Sequence, residues 1–417
     1  MRSVRTGSGA EQRPGGAIVS EEGHRVTTLE LFFDLAFVFA FTQLSRLMAQ
    51  QHDALGILQA LVILALLWWS WTAYGWLANL AHADAGIVRI VMIVGMTATF
   101  VCGLVVLEVY DDPPGGLFAP MVFVAAYLVA RFAHAVVFVW LTEPSLRRRT
   151  IVTMSLSVIP TGALLTVGAL LGPAWQLWCW LAAVAIEPIV SYRSSVGVAW
   201  PVHSTVHFAE RHGLVVILAL GESILAIGVG VASEPISSPI LIGVLLSMLV
   251  CVALWWAYFS RLAGKAEHAL ARRDPAARAR VATDGYTYLH LALVAGIVVV
   301  ALGLEVAMAH IEESEPFGFF GAAALCGGAA CYLAGTAFFA RRVIGEWAVI
   351  RLVGAGAFLV TILPLVILTP IAALAVAGAE LILLLVLEAW LARRRRGRSD
   401  PTSTLTAASA SPFIGNA

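Results

Sequence analysis

Carboxylates, a guanidinium and amide or hydroxyl groups placed inside long apolar runs are the residues of this sequence that could do chemistry. They are Asp34, Thr42, Gln43, Arg131, His134, Glu187, Glu222 and Glu380. A charge at the centre of a membrane helix costs about 2.5–3.5 kcal/mol on insertion scales. Each such group therefore needs a partner, a cavity or a function, and the chemistry in reach is binding or passing a small ion or polar solute. Glu222 lies near the midplane of its run beside Gly221 and Ser223, with Gly228 and Gly230 beyond. A carboxylate among small residues suits an ion or proton site, or equally a structural hydrogen bond between closely packed helices. Arg131 has His134 three residues on, on the same helix face, and is read as the only basic residue deep in a span. It calls for an anion, with Asp34, Glu187 and Glu222 as candidates, in a structural ion pair or a substrate contact. Asp34 stands one helical turn after Glu30. Thr27 and Glu30 have capping-box spacing, which gives Glu30 a structural role, whereas Asp34 is beyond capping reach. His203, His207 and Glu210 would share a face if helical and form a candidate metal trio; a juxtamembrane turn is the alternative.

The elements that must position these groups are membrane helices. The chain has 417 residues, 60% hydrophobic and 12% charged, with a mean hydropathy of +0.88. A soluble domain carries roughly 25% charged residues, so the bilayer must be the solvent here. Apolar runs long enough to span occur near 28–50, 55–80, 86–109, 117–142, 150–171 and 174–192. Six more follow near 207–232, 239–261, 286–309, 317–340, 347–369 and 371–392. With a cytosolic N-terminus, 24 of the 26 basic residues fall on the inside, the exceptions being Arg46 and Arg131. The outer loops carry Asp111, Asp112, Glu234, Glu312, Glu313 and Glu315. That positive-inside pattern predicts a multi-pass plasma-membrane protein with both termini cytoplasmic.

Landmarks recur in the two sets of six spans. Glu30 opens the first and Glu210 the seventh; Trp68-Trp69 in the second match Trp255-Trp256 in the eighth. Glu108 matches Glu305, Pro160 matches Pro364, and Glu187 matches Glu380, while Thr42 stands opposite Glu222. An even number of spans per half makes the two repeats parallel. The predicted fold is all-α, about twelve transmembrane helices in two parallel six-helix repeats. Residues 1–25 are expected to form a disordered tail and 26–192 the first repeat. A linker follows at 193–206, the second repeat at 207–396 and a disordered tail at 397–417. The 262–285 connector has the composition of a basic surface segment, with room for a helix. Pro188 is expected to break the sixth span just after Glu187, and Pro160 and Pro364 to kink theirs. The five cysteines read as buried free thiols.

The segments TTLELFFDLAFVFAFTQLS at 27–45 and HFAERHGLVVILALGESILAIG at 207–228, with WWSWTAYGW in the second span, resemble the bacterial low temperature requirement A family over residues 25–395. The family is named for a cold-growth phenotype, so the resemblance implies architecture more than activity. Leu29-Glu30-x-Phe32-x-Asp34 is also similar to the first helix of a six-span potassium channel family. Phe33 stands where that family has serine, and Leu214 stands where the second repeat would carry the aspartate.

No nucleotide loop, nucleophile elbow, zinc-protease motif or cofactor motif is present, and the arginines at 393–396 and 398 suit headgroup anchoring better than nucleic acid. The sequence therefore points to a permease or channel-like protein for a small ion or polar solute, with lipid and that solute as partners and room for homo-oligomers. The alternative is a membrane-embedded lipid-handling enzyme or sensor of cold adaptation.

Overall fold

The computed structural model describes residues 12–13, 17–18, 21–195, 201–232 and 234–398. It is a polytopic all-α membrane protein. The first six helices are α1 Thr28–Gln51, α2 Ala54–Leu80, α3 Gly86–Leu104, α4 Ala119–Leu141, α5 Pro144–Leu171 and α6 Pro173–Ser195. Then come α7 Thr205–Gly230, α8 Ser238–Phe259, the short α9 Leu262–Ala271, α10 Pro275–Ala309, α11 Gly318–Ile344, α12 Val349–Leu365 and α13 Pro370–Arg398. Among the described residues eleven of these are long and apolar enough to cross a membrane. The remaining apolar helix, α12, has 17 residues, about 26 Å of rise, slightly short of a full hydrocarbon core. All twelve expected spans are helices.

Local sequence sets the ends. Thr27 and Glu30 form the capping box, Asp53 Oδ1 accepts from Gly56 N (2.7 Å) to start α2, and Ser204 Oγ accepts from His207 N (3.2 Å) to start α7. Proline opens α5, α6 and α13 at a position where its missing N–H costs nothing. Gly172 turns α5 into α6 with φ +80°. Pro160, Pro188 and Pro364 all lie inside helices. The break expected at Pro188 does not occur: α6 continues to Ser195, and the Pro188 carbonyl accepts from Tyr288 Oη at 3.3 Å. The 262–285 connector is mostly helical, since α9 occupies its start and α10 already begins at Pro275.

Two stretches wind more loosely, as π-helix: 282–289 within α10 and 340–344 at the end of α11. π-bulges concentrate at functional positions because the extra residue per turn frees backbone groups. Arg342 joins the two through an ion pair with Asp284.

The expected N-terminal tail is only partly outside the fold. Gln12–Arg13 and Ala17–Ile18 form a two-residue antiparallel pair, β1 and β2, and Ala17 is fully buried. Ile18 O accepts from His82 N (2.8 Å), His24 O accepts from Ser204 Oγ (3.0 Å), and Glu22 accepts from Thr205 Oγ1 (2.9 Å). These backbone and side-chain bonds hold Ile18, Glu22 and His24 to the starts of α3 and α7. The expected tail at 397–417 lies outside the described residues beyond Arg398, as do residues 196–200 of the expected linker.

Neighbour order is the same in both sets of helices. α1 packs on α3, α3 on α4, α4 on α5, and α5 on α6, which touches α2. α7 packs on α10, α10 on α11, α11 on α12, and α12 on α13, which packs on α8. The sets meet where α1 and α2 lie against α7 and α10. Large apolar side chains such as Ile159, Leu363 and Ile367 project outward, as a lipid-facing surface requires. Trp255 and Trp256 are on that surface, whereas Trp68 is buried. Of the cysteines, Cys102, Cys251 and Cys326 are buried as expected, but Cys331 is exposed and Cys179 half-buried.

α10 and α11 make the closest crossing. A Cβ on Gly328 would lie 2.7 Å from Gly296 O, and one on Gly296 would lie 2.8 Å from Gly328 O. Backbone occupies the space on both sides, so no rotamer change can relieve the contact. Gly328→Ala is expected to destabilise the protein by about 1–3 kcal/mol, read as a lower melting temperature in detergent. Gly356→Ala, with open space at its Cβ, should leave that temperature unchanged.

Candidate functional site

Three polar clusters interrupt the apolar core. The first joins α1 to α7 at the end where both helices begin. Glu30 uses one oxygen for the capping box, accepting from Thr27 N at 3.0 Å. Its Oε2 lies 2.8 Å from His207 Nε2 and 3.4 Å from Arg211 Nε. Arg211, 1% exposed, grips Asp34 with two bonds, Nη2 to Oδ1 at 2.9 Å and Nη1 to Oδ2 at 3.2 Å. Trp71 Nε1 also donates to Asp34 Oδ1 (2.9 Å), and the guanidinium lies over the Trp71 and Phe33 rings. Both carboxylates here only accept, so both are ionised. Two negative charges then face one arginine, and the residue is offset by the positive N-terminal ends of α1 and α7.

The amide beside His207 fixes which of its ring nitrogens accepts. Asn79 donates to Ser204 O (2.7 Å) and accepts from His203 N (2.8 Å), which fixes its amide orientation. Its NH2 therefore faces His207 Nδ1 at 3.3 Å, making Nδ1 an acceptor and placing the proton on Nε2, toward Glu30. His24 stacks on His207 at 5.2 Å and lies 4.0 Å from the His82 ring. Burial, reinforced by those two histidines, pushes His24 down to about 4. Ligand atoms of His24, Glu30 and His207 come close enough to share a metal ion. The trio expected from spacing does not gather: Glu210 accepts from Val26 N (3.3 Å), and the His203 backbone is tied to Asn79.

The second cluster ties α4, α5 and α6. Arg131 Nη2 donates to both Glu187 oxygens (3.0 and 3.2 Å) and to Ser157 Oγ (2.9 Å), and Ser157 in turn donates to Glu187. Every one of these bonds leaves from Nη2, and Nε is buried with no partner. His134, 3% exposed, packs on Tyr74 and Phe138, with the Ala73 backbone as the hydrogen-bond partner of its ring. Both residues line a cavity of about 100 Å³. Its other walls include Trp69, Trp76 and Met154, and Thr283 and Thr287 of the loose stretch in α10 close it from the second set. Trp68 Nε1 donates to Thr287 O (2.7 Å) and Trp76 Nε1 to Thr287 Oγ1 (3.3 Å), fastening that wall to α2.

The third cluster is the α1–α7 contact at the far end. Thr42 Oγ1 donates to Glu222 Oε2 at 2.5 Å, so the two positions expected to be equivalent touch each other. Glu222 is the eighteenth residue of the 26 in α7, past the middle rather than at it. Gly230, not Gly221, is where α10 comes closest: a Cβ there would meet Glu305 O at 2.8 Å. Gln43 Oε1 is buried without a partner. Glu187 and Glu380 each face a hydroxyl three residues before the proline of the preceding span, Ser157 and Thr361, and Glu187 has Arg131 in addition.

The profile of the bacterial low temperature requirement A protein (LtrA) matches residues 25–387. The chain belongs to that family. The uncharacterized protein RA0937 of Rhizobium meliloti (strain 1021) is similar at 32% identity over 326 residues, covering 75% of this chain and 76% of that protein. No solved structure matches.

In this LtrA-family chain, Arg131 is not the only buried basic residue. Arg211 pairs with Asp34, and Arg351, 3% exposed, pairs with Glu388 at 3.0 Å while donating to Ala257 O at 2.8 Å. Sequence reading placed both among the flanking cations because each lies within two turns of a helix start. For Arg211 the signal was its spacing four residues after His207, which puts both on the face that meets Glu30 and Asp34.

Removing one partner of a buried ion pair leaves the other charge uncompensated. Arg211→Met is expected to cost about 3–5 kcal/mol. Adding Asp34→Asn to that variant should recover part of the loss, measured as a double-mutant cycle of detergent melting temperatures. His24 gives a separate expectation. It stays neutral in the fold down to about 4, while an unfolded histidine takes up its proton near 6.5. Stability should therefore fall as pH drops from about 6.5 toward 4, and His24→Asn should flatten that part of a melting-temperature profile.

Proposed function

We propose that this protein is a permease for a small polar solute, set in the bacterial plasma membrane with both termini cytoplasmic. The observation that carries the reading is a cavity whose mostly apolar lining carries Arg131, His134 and Ser157 from one set of helices and Thr283 and Thr287 from the other. A site at the junction of two similar helical sets is where a rocking transporter binds its substrate, because relative motion of the sets opens it to alternate sides. The repeated neighbour order and the depth-matched Thr42–Glu222 contact support descent of the two sets from one parallel duplication. The π-helical wall supports motion, since π-bulges shift register at low cost. In this scheme the Arg211–Asp34 cluster is the hinge end, and Glu222 is the coupling carboxyl that gains or loses a proton or cation.

A second reading, a metal-dependent membrane enzyme or sensor, draws support from the proximity of His24, Glu30 and His207. Binding at His207 Nε2 would require moving the proton that Asn79 directs there, which favours the permease.

The test is solute flux in proteoliposomes. Wild-type protein is expected to speed equilibration of at least one member of a panel of small polar solutes and ions over protein-free liposomes. Thr287→Trp, which fills the cavity, should abolish the increment, and Glu222→Gln should remove any dependence on an imposed pH gradient. A wild type that moves nothing in the panel under any gradient, yet holds stoichiometric zinc after purification, would transfer support to the enzyme reading.

A further inference from the structure

A separate cavity, of about 700 Å³, lies between the ends of α6 and α11 and the first turns of α10. Three guanidiniums line it, those of Arg273, Arg341 and Arg342, against one carboxylate, Asp284. Arg342 Nε donates to Asp284 Oδ2 at 2.7 Å, so those two charges cancel. The other two arginines bond only to backbone carbonyls. Arg341 Nη1 donates to Gly345 O (2.8 Å) and Arg273 Nη2 to Val343 O (3.4 Å). A carbonyl satisfies a donor without cancelling its charge, and neither arginine has a carboxylate partner among the described residues. Both side chains are exposed, so two positive charges face whatever fills the cavity. Arg131, Arg211 and Arg351 differ, since each is paired with a carboxylate.

The rest of the lining is aromatic and outward-facing. Phe338 and Tyr192 are both exposed large rings of this cavity. Trp347, exposed beside it, lies 5.6 Å under the Arg341 guanidinium. Tyrosine and tryptophan gather at headgroup level, where one face meets hydrocarbon and the other water. Cationic and apolar surfaces therefore adjoin here as phosphate and acyl chain do in a lipid. A free anion would use only the cationic part and leave Phe338 and Tyr192 uncovered. Guanidinium is the side chain best matched to phosphate, because its planar fork can donate two parallel bonds. Basic pockets between membrane helices are recurring sites for acidic headgroups.

We infer that this cavity holds the headgroup of an anionic phospholipid, with phosphate oxygens accepting from Arg273 and Arg341 and acyl chains along Phe338 and Tyr192. Two unpaired positive charges match the two phosphodiesters of a cardiolipin-type lipid more fully than the one of phosphatidylglycerol. The site is built on the loosely wound stretch of α10. Asp284 and Tyr288 line it, while Thr283 and Thr287 of the same stretch line the cavity beside Arg131. The inference concerns binding and stands whether or not the protein moves a solute.

Native mass spectrometry of the purified full chain, titrated with defined lipids in detergent, tests it. Wild-type protein is expected to retain one cardiolipin or phosphatidylglycerol, and to bind phosphatidylcholine roughly tenfold more weakly or worse. Each arginine near a membrane surface is worth about fivefold in affinity, so Arg273→Gln/Arg341→Gln should weaken the acidic lipids tenfold or more. Arg273→Gln alone, which gives up one long backbone contact, should weaken them about fivefold and guards against misfolding of the double variant. Arg148→Gln/Arg280→Gln removes the same charge from exposed positions outside the cavity. That pair should change lipid affinity by less than about threefold. Phosphatidylcholine held as tightly as the acidic lipids would overturn the inference. An equal loss in the Arg148 and Arg280 pair would do so too, by showing diffuse attraction to the whole surface. Inorganic phosphate retained as tightly as either acidic lipid would identify a free-anion site and overturn it as well.

Discussion

Two carboxylates one helical turn apart on α1 are out of water because α7 carries Arg211 to the same depth. A single guanidinium serves Asp34 with a two-bond grip and stands beside Glu30, and the aromatic faces of Phe33 and Trp71 enclose it. In a medium where an unmatched charge cannot be solvated, this contact sets which faces of α1 and α7 meet and at what register. Everything nearer the far end inherits that register, including the Thr42–Glu222 contact. α2 is fastened at the same place, through Trp71 to Asp34 and through Asn79 to the segment before α7.

With α1, α2 and α7 fixed at one end, the bundle divides into regions of different stiffness. The glycine crossing of α10 and α11 is close-packed backbone on backbone. The cavity beside Arg131 is the opposite, with a loosely wound wall from α10 held to α2 by two tryptophan indoles. A binding site needs open volume, and Arg131 lines one such volume while Arg351 and Glu388 line another. The Arg211 cluster is dense with bonds, and Arg351 is engaged with Glu388 and the Ala257 carbonyl. Each of the three buried arginines keeps one nitrogen unengaged, Nε in Arg131 and Arg211 and Nη1 in Arg351.

The similarity of the two helical sets is a similarity of neighbours more than of chemistry. Trp68 is buried against α10, while Trp255 and Trp256 face outward. Glu187 has an arginine and a serine; Glu380 has the Thr361 hydroxyl and, among the described residues, no arginine. Packing order depends on which helices present small and apolar faces, and it survives substitution of single polar groups. A polar site depends on those single groups, so one set carries the cavity and the other contributes a wall.

By itself the sequence determined the number and place of the membrane helices, because hydrocarbon thickness translates directly into a run of apolar residues. It determined the capping of α1 and singled out Asp34, Arg131, Glu187 and Glu222 as costly insertions, since that cost is a property of each residue in lipid. It named Glu187 among three partners for Arg131 and could go no further. Only the tertiary structure decided the pairings, since Asp34 and Arg211 are 177 residues apart and a charge's partner is whichever opposite charge packing brings within a few ångströms. The same limit hid Arg211 and Arg351, whose positions near helix starts look solvated until neighbouring helices cover them. It also hid the docking of Ile18, Glu22 and His24 and the meeting of His24 with Glu30 and His207. Depth in the membrane can be read along one chain; enclosure depends on what comes to lie alongside.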